Sequence, residues 1–125
     1  MKLDDLSASL PDETIVRLFG FTTAEAEKFL AVLKNLTAGK ADQVAVHELP
    51  YVEAVEGCKL RLRVRSWDQS MSQVGPSAFE CGYTTGTWDN LAGLVEPFIA
   101  GSAGYQWLAG GSGQLSLLLS PSEKW

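Results

Sequence analysis

Among the side chains able to move protons or attack carbonyl groups, five invite a chemical reading first: His47, Cys58, Cys81, Asp68 and Asp89. His47 is the only histidine, and so the one side chain whose ordinary pKa suits a general base near neutral pH. Within "VAVHEL" it points with Ala45 and Leu49, opposite Val44, Val46 and Glu48. No neighbouring residue is fixed as its proton relay, so a hydrogen-bonded strand histidine is the plainer reading. A Cys58–His47 or Cys81–His47 dyad would need a thiol of depressed pKa. Neither cysteine has an assured source of such a shift, and Glu80 beside Cys81 raises its pKa. Asp68 and Asp89 each follow a tryptophan and could form the carboxylate pair of a sugar-cleaving cleft. More simply, Asp68 closes a strand or turn and Asp89 opens a helix. These four positions, His47, Cys81, Asp68 and Asp89, are therefore weak catalytic candidates, and a non-enzymatic protein is expected. Two cysteines and one histidine are too few for a structural zinc site. Neither a metal nor another cofactor is expected.

The glycine-rich run Gly110, Gly111, Ser112, Gly113 raises the question of phosphate binding. It has neither the G-x-x-x-x-G-K-[ST] nor the G-x-G-x-x-G spacing, and no lysine follows it. The next residues, "QLSLLLS", alternate as a strand rather than opening a helix, so no ring of free N–H groups is set up for an anion. A hairpin turn is the expected role.

The most unusual feature is "CKLRLRVRSW". Cys58, Leu60, Leu62 and Val64 alternate with Lys59, Arg61, Arg63, Arg65 and Trp67, which places four cations and a tryptophan on one face of a strand. Cations about 7 Å apart along a strand repel one another. Either neighbouring strands supply acids, Glu53 and Glu80 being the candidates, or the face meets an anionic ligand or acidic partner. Trp67 favours the second reading, since arginine beside exposed aromatics is typical of interfaces. The binding residues expected are thus Lys59, Arg61, Arg63, Arg65 and Trp67. Tyr83, Trp88, Tyr105 and Trp107 are candidate liners of an aromatic pocket, although burial as core anchors is the simpler role. Trp125 either folds back on the last strands or marks a contact surface.

These residues need elements to hold them. Pro11, Asp12 and Glu13 suit a helix start, and Ile15, Val16, Leu18 and Phe19 give it an apolar side. A second helix begins at Thr22, where Glu25 three residues on completes a capping box. Ala26, Phe29, Leu30, Leu33 and Leu36 then mark its buried face, and Gly39 stops it. "QVAVHEL", "YVEAV", "CKLRLRVRSW" and "AFECGYT" read as strands, the middle two joined at Glu56-Gly57. Thr87 or Asp89 caps a third helix carrying Leu91, Leu94, Val95 and Phe98, which Pro97 should kink or break. "YQWLA" and "QLSLLLS" form a terminal hairpin. The expected fold is α+β: two N-terminal helices, an antiparallel sheet of five to six strands, a further helix and a C-terminal β-hairpin. Short connections favour antiparallel pairing and a single domain over residues 1–125.

At 125 residues, with 46% hydrophobic and 20% charged residues, the chain is ordinary for a globular protein. The net charge is −5, which disfavours general nucleic-acid binding. Its distribution is uneven: residues 59–67 hold four of the ten cations and no acid. No apolar run approaches the roughly 18 residues of a membrane span, and the first residues do not resemble a secretory signal. A cytoplasmic protein with no membrane or nucleic-acid partner is the expectation. Its function is expected to be the binding of a protein partner, as an inhibitor, immunity or accessory factor. The alternative is a small-molecule binder or small enzyme with an aromatic pocket between helices and a curved sheet. Self-association through an edge strand, giving a homodimer, is a further possibility.

Overall fold

The computed structural model describes residues 1–7, 14–109 and 115–123. Among these the elements are β1 (Lys2–Ser7), β2 (Thr14–Phe19), α1 (Thr23–Thr37), β3 (Gln43–Ala45), β4 (Glu53–Ala54), β5 (Lys59–Val64), β6 (Ser70–Gly75), β7 (Ala78–Tyr83), α2 (Thr85–Ile99), β8 (Gln106–Ala109) and β9 (Leu115–Ser120). Short 3₁₀ turns occupy Val46–Glu48 and Val55–Gly57. The strands form two mixed sheets, a five-stranded one in the order β4-β1-β2-β9-β8 and a four-stranded one in the order β3-β5-β7-β6.

The α+β class holds, but the expected three helices and single antiparallel sheet do not. Residues 14–19 are a strand rather than a helix, paired antiparallel to β1 and parallel to β9. Val16 and Leu18 enter the main core, and Arg17 and Phe19 are buried on the opposite face. A strand buried on both faces shows little alternation, so its short run looks like one side of a helix. Pro11, Asp12 and Glu13 lie outside the described residues, as do Gly110 to Gly113 and Trp125.

The Glu56-Gly57 turn also differs from expectation. Both residues adopt positive φ, 53° and 74°, as a tight reversal requires. The segments they join nevertheless enter different sheets: β4 pairs parallel to β1, and β5 lies between β3 and β7. The Gln106–Ala109 and Leu115–Ser120 strands do pair antiparallel as a hairpin.

Both sheets and both helices bury one shared core. Leu3, Leu18, Leu117 and Leu119 enter it from the five-stranded sheet, and Leu60, Leu62, Phe79 and Cys81 from the four-stranded one. Phe29, Leu33 and Leu36 of α1 meet Trp88, Val95 and Phe98 of α2 within the same cluster. Helix α1 forms as its sequence requires. Thr22 Oγ1 accepts from Glu25 N at 3.1 Å, Thr22 N donates to Glu25 Oε1 at 3.0 Å, and all five residues of the predicted face are buried. Of the kink or break expected at Pro97, the break does not occur: α2 continues to Ile99. Proline removes the donor for the carbonyl four residues earlier, here Gly93. Gly93 and Pro97 are both exposed, so water can satisfy that carbonyl and the cost stays small.

Candidate functional site

The alternation of β5 places its residues on two faces. Cys58, Leu60 and Leu62 are buried, whereas Lys59, Arg61 and Arg63 stand on the outer face of the four-stranded sheet. Three of their five cross-strand neighbours are small: Lys59 pairs with Ala78, Arg61 with Ala45 and Glu80, and Arg63 with Gln43 and Gly82. On β7's other side, Ser70 and Ser72 face Gly82 and Glu80. The cations thus rise from a floor of small side chains.

One of them is neutralised. Arg63 grips Glu80 with two parallel bonds, Nε to Oε1 at 3.0 Å and Nη2 to Oε2 at 3.3 Å. Arg61 makes one contact of 3.3 Å to the neutral Gln43 Oε1. Among the described residues, Lys59, Arg61 and Arg65 enter no ion pair within 4.0 Å. Glu80 is the acid expected on a neighbouring strand. Glu53 is not, since it belongs to β4 and pairs with Lys2 in the other sheet.

Arg65 follows the strand end, its N–H donating to Tyr83 O at 2.8 Å. Its side-chain stem crosses Gly82, where an added Cβ would lie 3.0 Å from Arg65 Cγ and 3.3 Å from Gln69 Oε1. Glycine near the end of β7 is therefore what allows Arg65 to lie over that strand. Gly82 was missed as a site residue, though a glycine inside an alternating strand is itself a signal of close approach. Trp67 sits in the following bend, 62% exposed.

Asp68 closes the bend against α2. Its Oδ1 accepts from Thr84 N at 2.9 Å and its Oδ2 from Thr87 Oγ1 at 2.8 Å. Hydrogen bonds from the Thr84 N–H first, then the Thr87 hydroxyl, hold its pKa below the usual carboxylate value. The helix cap is Thr84, whose Oγ1 accepts from Thr87 N, rather than Thr87 or Asp89. Asp89 lies exposed farther along α2, and both Asp68 oxygens are committed to the helix start.

The other catalytic candidates are also engaged. β3 ends at Ala45, so His47 lies in a 3₁₀ turn instead of a strand. Its Nδ1 accepts from Leu60 N at 3.1 Å and lies 3.2 Å from Leu60 O. The imidazole thereby occupies the ladder position where β3 would have continued alongside β5. Cys58 and Cys81 are buried with thiols pushed up to about 12, in each case chiefly by burial. A nucleophilic thiol needs the opposite shift.

The aromatic candidates separate into two pairs. Tyr83 and Trp88 are core residues in edge-to-face contact at 5.2 Å, and burial raises the Tyr83 pKa. Trp88 Nε1 donates to Arg63 O at 2.9 Å and so fastens α2 beneath the basic strand. Tyr105 and Trp107 meet edge-to-face at 6.2 Å, at and just before the edge strand β8, and are 55% and 40% exposed. A polar cleft of about 260 Å³ does open on the four-stranded sheet, with His47, Glu48, Lys59, Arg61, Ala78 and Glu80 in its wall. None of the four aromatics borders it.

Set against protein-family models, curated proteins and solved structures, the chain matches none of them. Among the described residues no helix is long and apolar enough to cross a membrane, and no group of three or more His, Cys, Asp or Glu side chains is placed to hold a metal ion.

Proposed function

We propose that the outer face of the four-stranded sheet is a docking surface for an acidic protein partner, and that the protein acts by binding. The observation that carries this reading is the state of the cations. Lys59, Arg61 and Arg65 share a face without an ion pair among the described residues, while Arg63 is held by Glu80. Placing like charges along one strand costs folding free energy. An opposing acidic surface offsets that cost on association.

The surroundings fit docking. Small residues leave the guanidinium and ammonium groups open to approach from above. Exposed Trp67 at the rim offers an amphipathic anchor of the kind common at binding hot spots. The remainder of the chain is strongly acidic, so attraction is confined to this face and orients the incoming partner.

The test uses the full chain and a fluorescent ten-residue glutamate peptide as probe, followed by anisotropy at 50 and 200 mM salt. The expected result is binding that weakens with salt and falls by about tenfold or more when Arg61 and Arg65 are both reversed to Glu. Arg63 is left unchanged because reversing it would also strand Glu80. Absence of binding, or binding indifferent to the double reversal, overturns the proposal.

A further inference from the structure

The cleft beside His47 carries the docking reading to a specific contact. Leu60 is fully buried, and its N–H points away from β7 toward the vacated edge beyond Ala45. A buried N–H without an acceptor is rarer and costlier than an under-used carbonyl. The 3.1 Å bond from Leu60 N therefore fixes Nδ1 as an acceptor, and the contact to Leu60 O is the secondary one. With Nδ1 accepting, the ring N–H is at Nε2, on the far side of the imidazole. His47 thus presents a donor on the wall of a cleft that also holds Lys59 and Arg61.

The charges in the cleft select an anion. Glu80 is matched by Arg63, so Lys59 and Arg61 outnumber the remaining carboxylate, Glu48. Its size selects a small group: about 260 Å³ falls below the roughly 300–1,000 Å³ of typical small-molecule sites. Resting on the docking reading above, we propose that this cleft is the socket for one carboxylate side chain of the acidic partner, received by the His47 Nε2–H together with Lys59 and Arg61. Arg65 and Trp67, beyond Arg63 along the chain, then extend the contact surface.

The decisive variant is His47→Asn. An asparagine Oδ1 can replace Nδ1 as acceptor for the Leu60 N–H, so the strand edge is kept while the Nε2 donor is lost. With the ten-residue glutamate peptide, His47→Asn is expected to bind about tenfold more weakly than the parent, the effect of losing one hydrogen bond to a charged group, at an unchanged thermal midpoint. The imidazole Nε2–H resonance of the parent should shift on adding the peptide. If the peptide binds, and the Arg61/Arg65 double reversal weakens it, but His47→Asn binds as the parent does, the socket is overturned and the docking surface stands. If the parent does not bind, both fall. If sodium acetate alone, at matched carboxylate concentration, shifts the His47 resonance as fully as the peptide does, the socket takes free anions and the assignment to a partner side chain is overturned.

Discussion

Each sheet's outer face holds one arginine in a two-bond fork with a carboxylate, Arg17 with Asp4 and Arg63 with Glu80. Only the four-stranded sheet also carries arginines with no ion pair among the described residues, Arg61 and Arg65. On the five-stranded sheet, Arg17 is 9% exposed and locked to its cross-strand neighbour Asp4 by two bonds, Nε to Oδ1 at 2.9 Å and Nη2 to Oδ2 at 2.7 Å. Its guanidinium lies 4.0 Å from the centre of the Phe19 ring, and Leu118 beside it on β9 is fully buried. On the four-stranded sheet, Arg61 stands half-exposed between Ala45 and Glu80, and Arg65 is exposed over glycine. The same side chain is consumed by the fold in one place and presented in the other. A matched acid and an aromatic cover make the first structural, and a floor of small residues makes the second available.

The largest expected effect tests the structural half of that contrast. Asp4→Ala would leave the Arg17 guanidinium sheltered and without its carboxylate, a loss of about 3 kcal/mol of stability. The retained Phe19 contact keeps it toward the lower end for such pairs. Arg61→Ala should change stability by less than about 0.5 kcal/mol, as for most exposed positions. Urea denaturation of both variants measures the difference. Equal losses would erase the distinction between the two faces.

This contrast was only half legible in the sequence. The alternation from Cys58 to Arg65 announced the basic face because each buried residue is apolar and each outward residue is charged. Thr22, Glu25 and the spacing from Ala26 to Leu36 announced α1 for the same reason, since local bonds and one buried side suffice to define it. Arg17 gave no such signal. It lies in an apolar run buried on both faces, and its strand is placed by pairing with β9, about a hundred residues later. Non-local parallel pairing also explains the second sheet: β7 lies between β5 and β6, which are neighbours in sequence. The role of His47 was hidden because its partner is the backbone of Leu60 rather than a side chain.

A smaller effect sharpens the presenting half. In Gly82→Ala the new methyl would meet Arg65 Cγ at 3.0 Å, and the flexible arginine stem can move aside. The expected stability loss is about 1 kcal/mol, at the low end for an added methyl in a tight contact. Arg65, displaced from β7, should lose its share of peptide binding. A double-mutant cycle with Arg65→Ala checks this: Gly82→Ala should weaken binding in the parent and have no effect once Arg65 is truncated. Additive effects would show that Gly82 acts otherwise than through Arg65.

The smallest effect concerns how the presenting face is held. Asp68 ties the bend carrying Trp67 to the start of α2 through an exposed carboxylate, whereas the Asp4 carboxylate is sheltered in the sheet. The Asp68 pKa is lower in the folded state than in the unfolded chain, because the Thr84 N–H and the Thr87 hydroxyl bind its ionised form. Its stabilising contribution is therefore complete above the ordinary aspartate pKa of about 4 and disappears as pH falls below that value through the folded pKa. Asp68→Asn cannot ionise and lacks this dependence. The thermal midpoint of the parent should exceed that of Asp68→Asn at pH 7, with the gap closing as pH falls below about 4. A gap that persists unchanged into acid would mean that the carboxylate charge does not hold the bend, and that the Trp67 rim is ordered by its backbone alone.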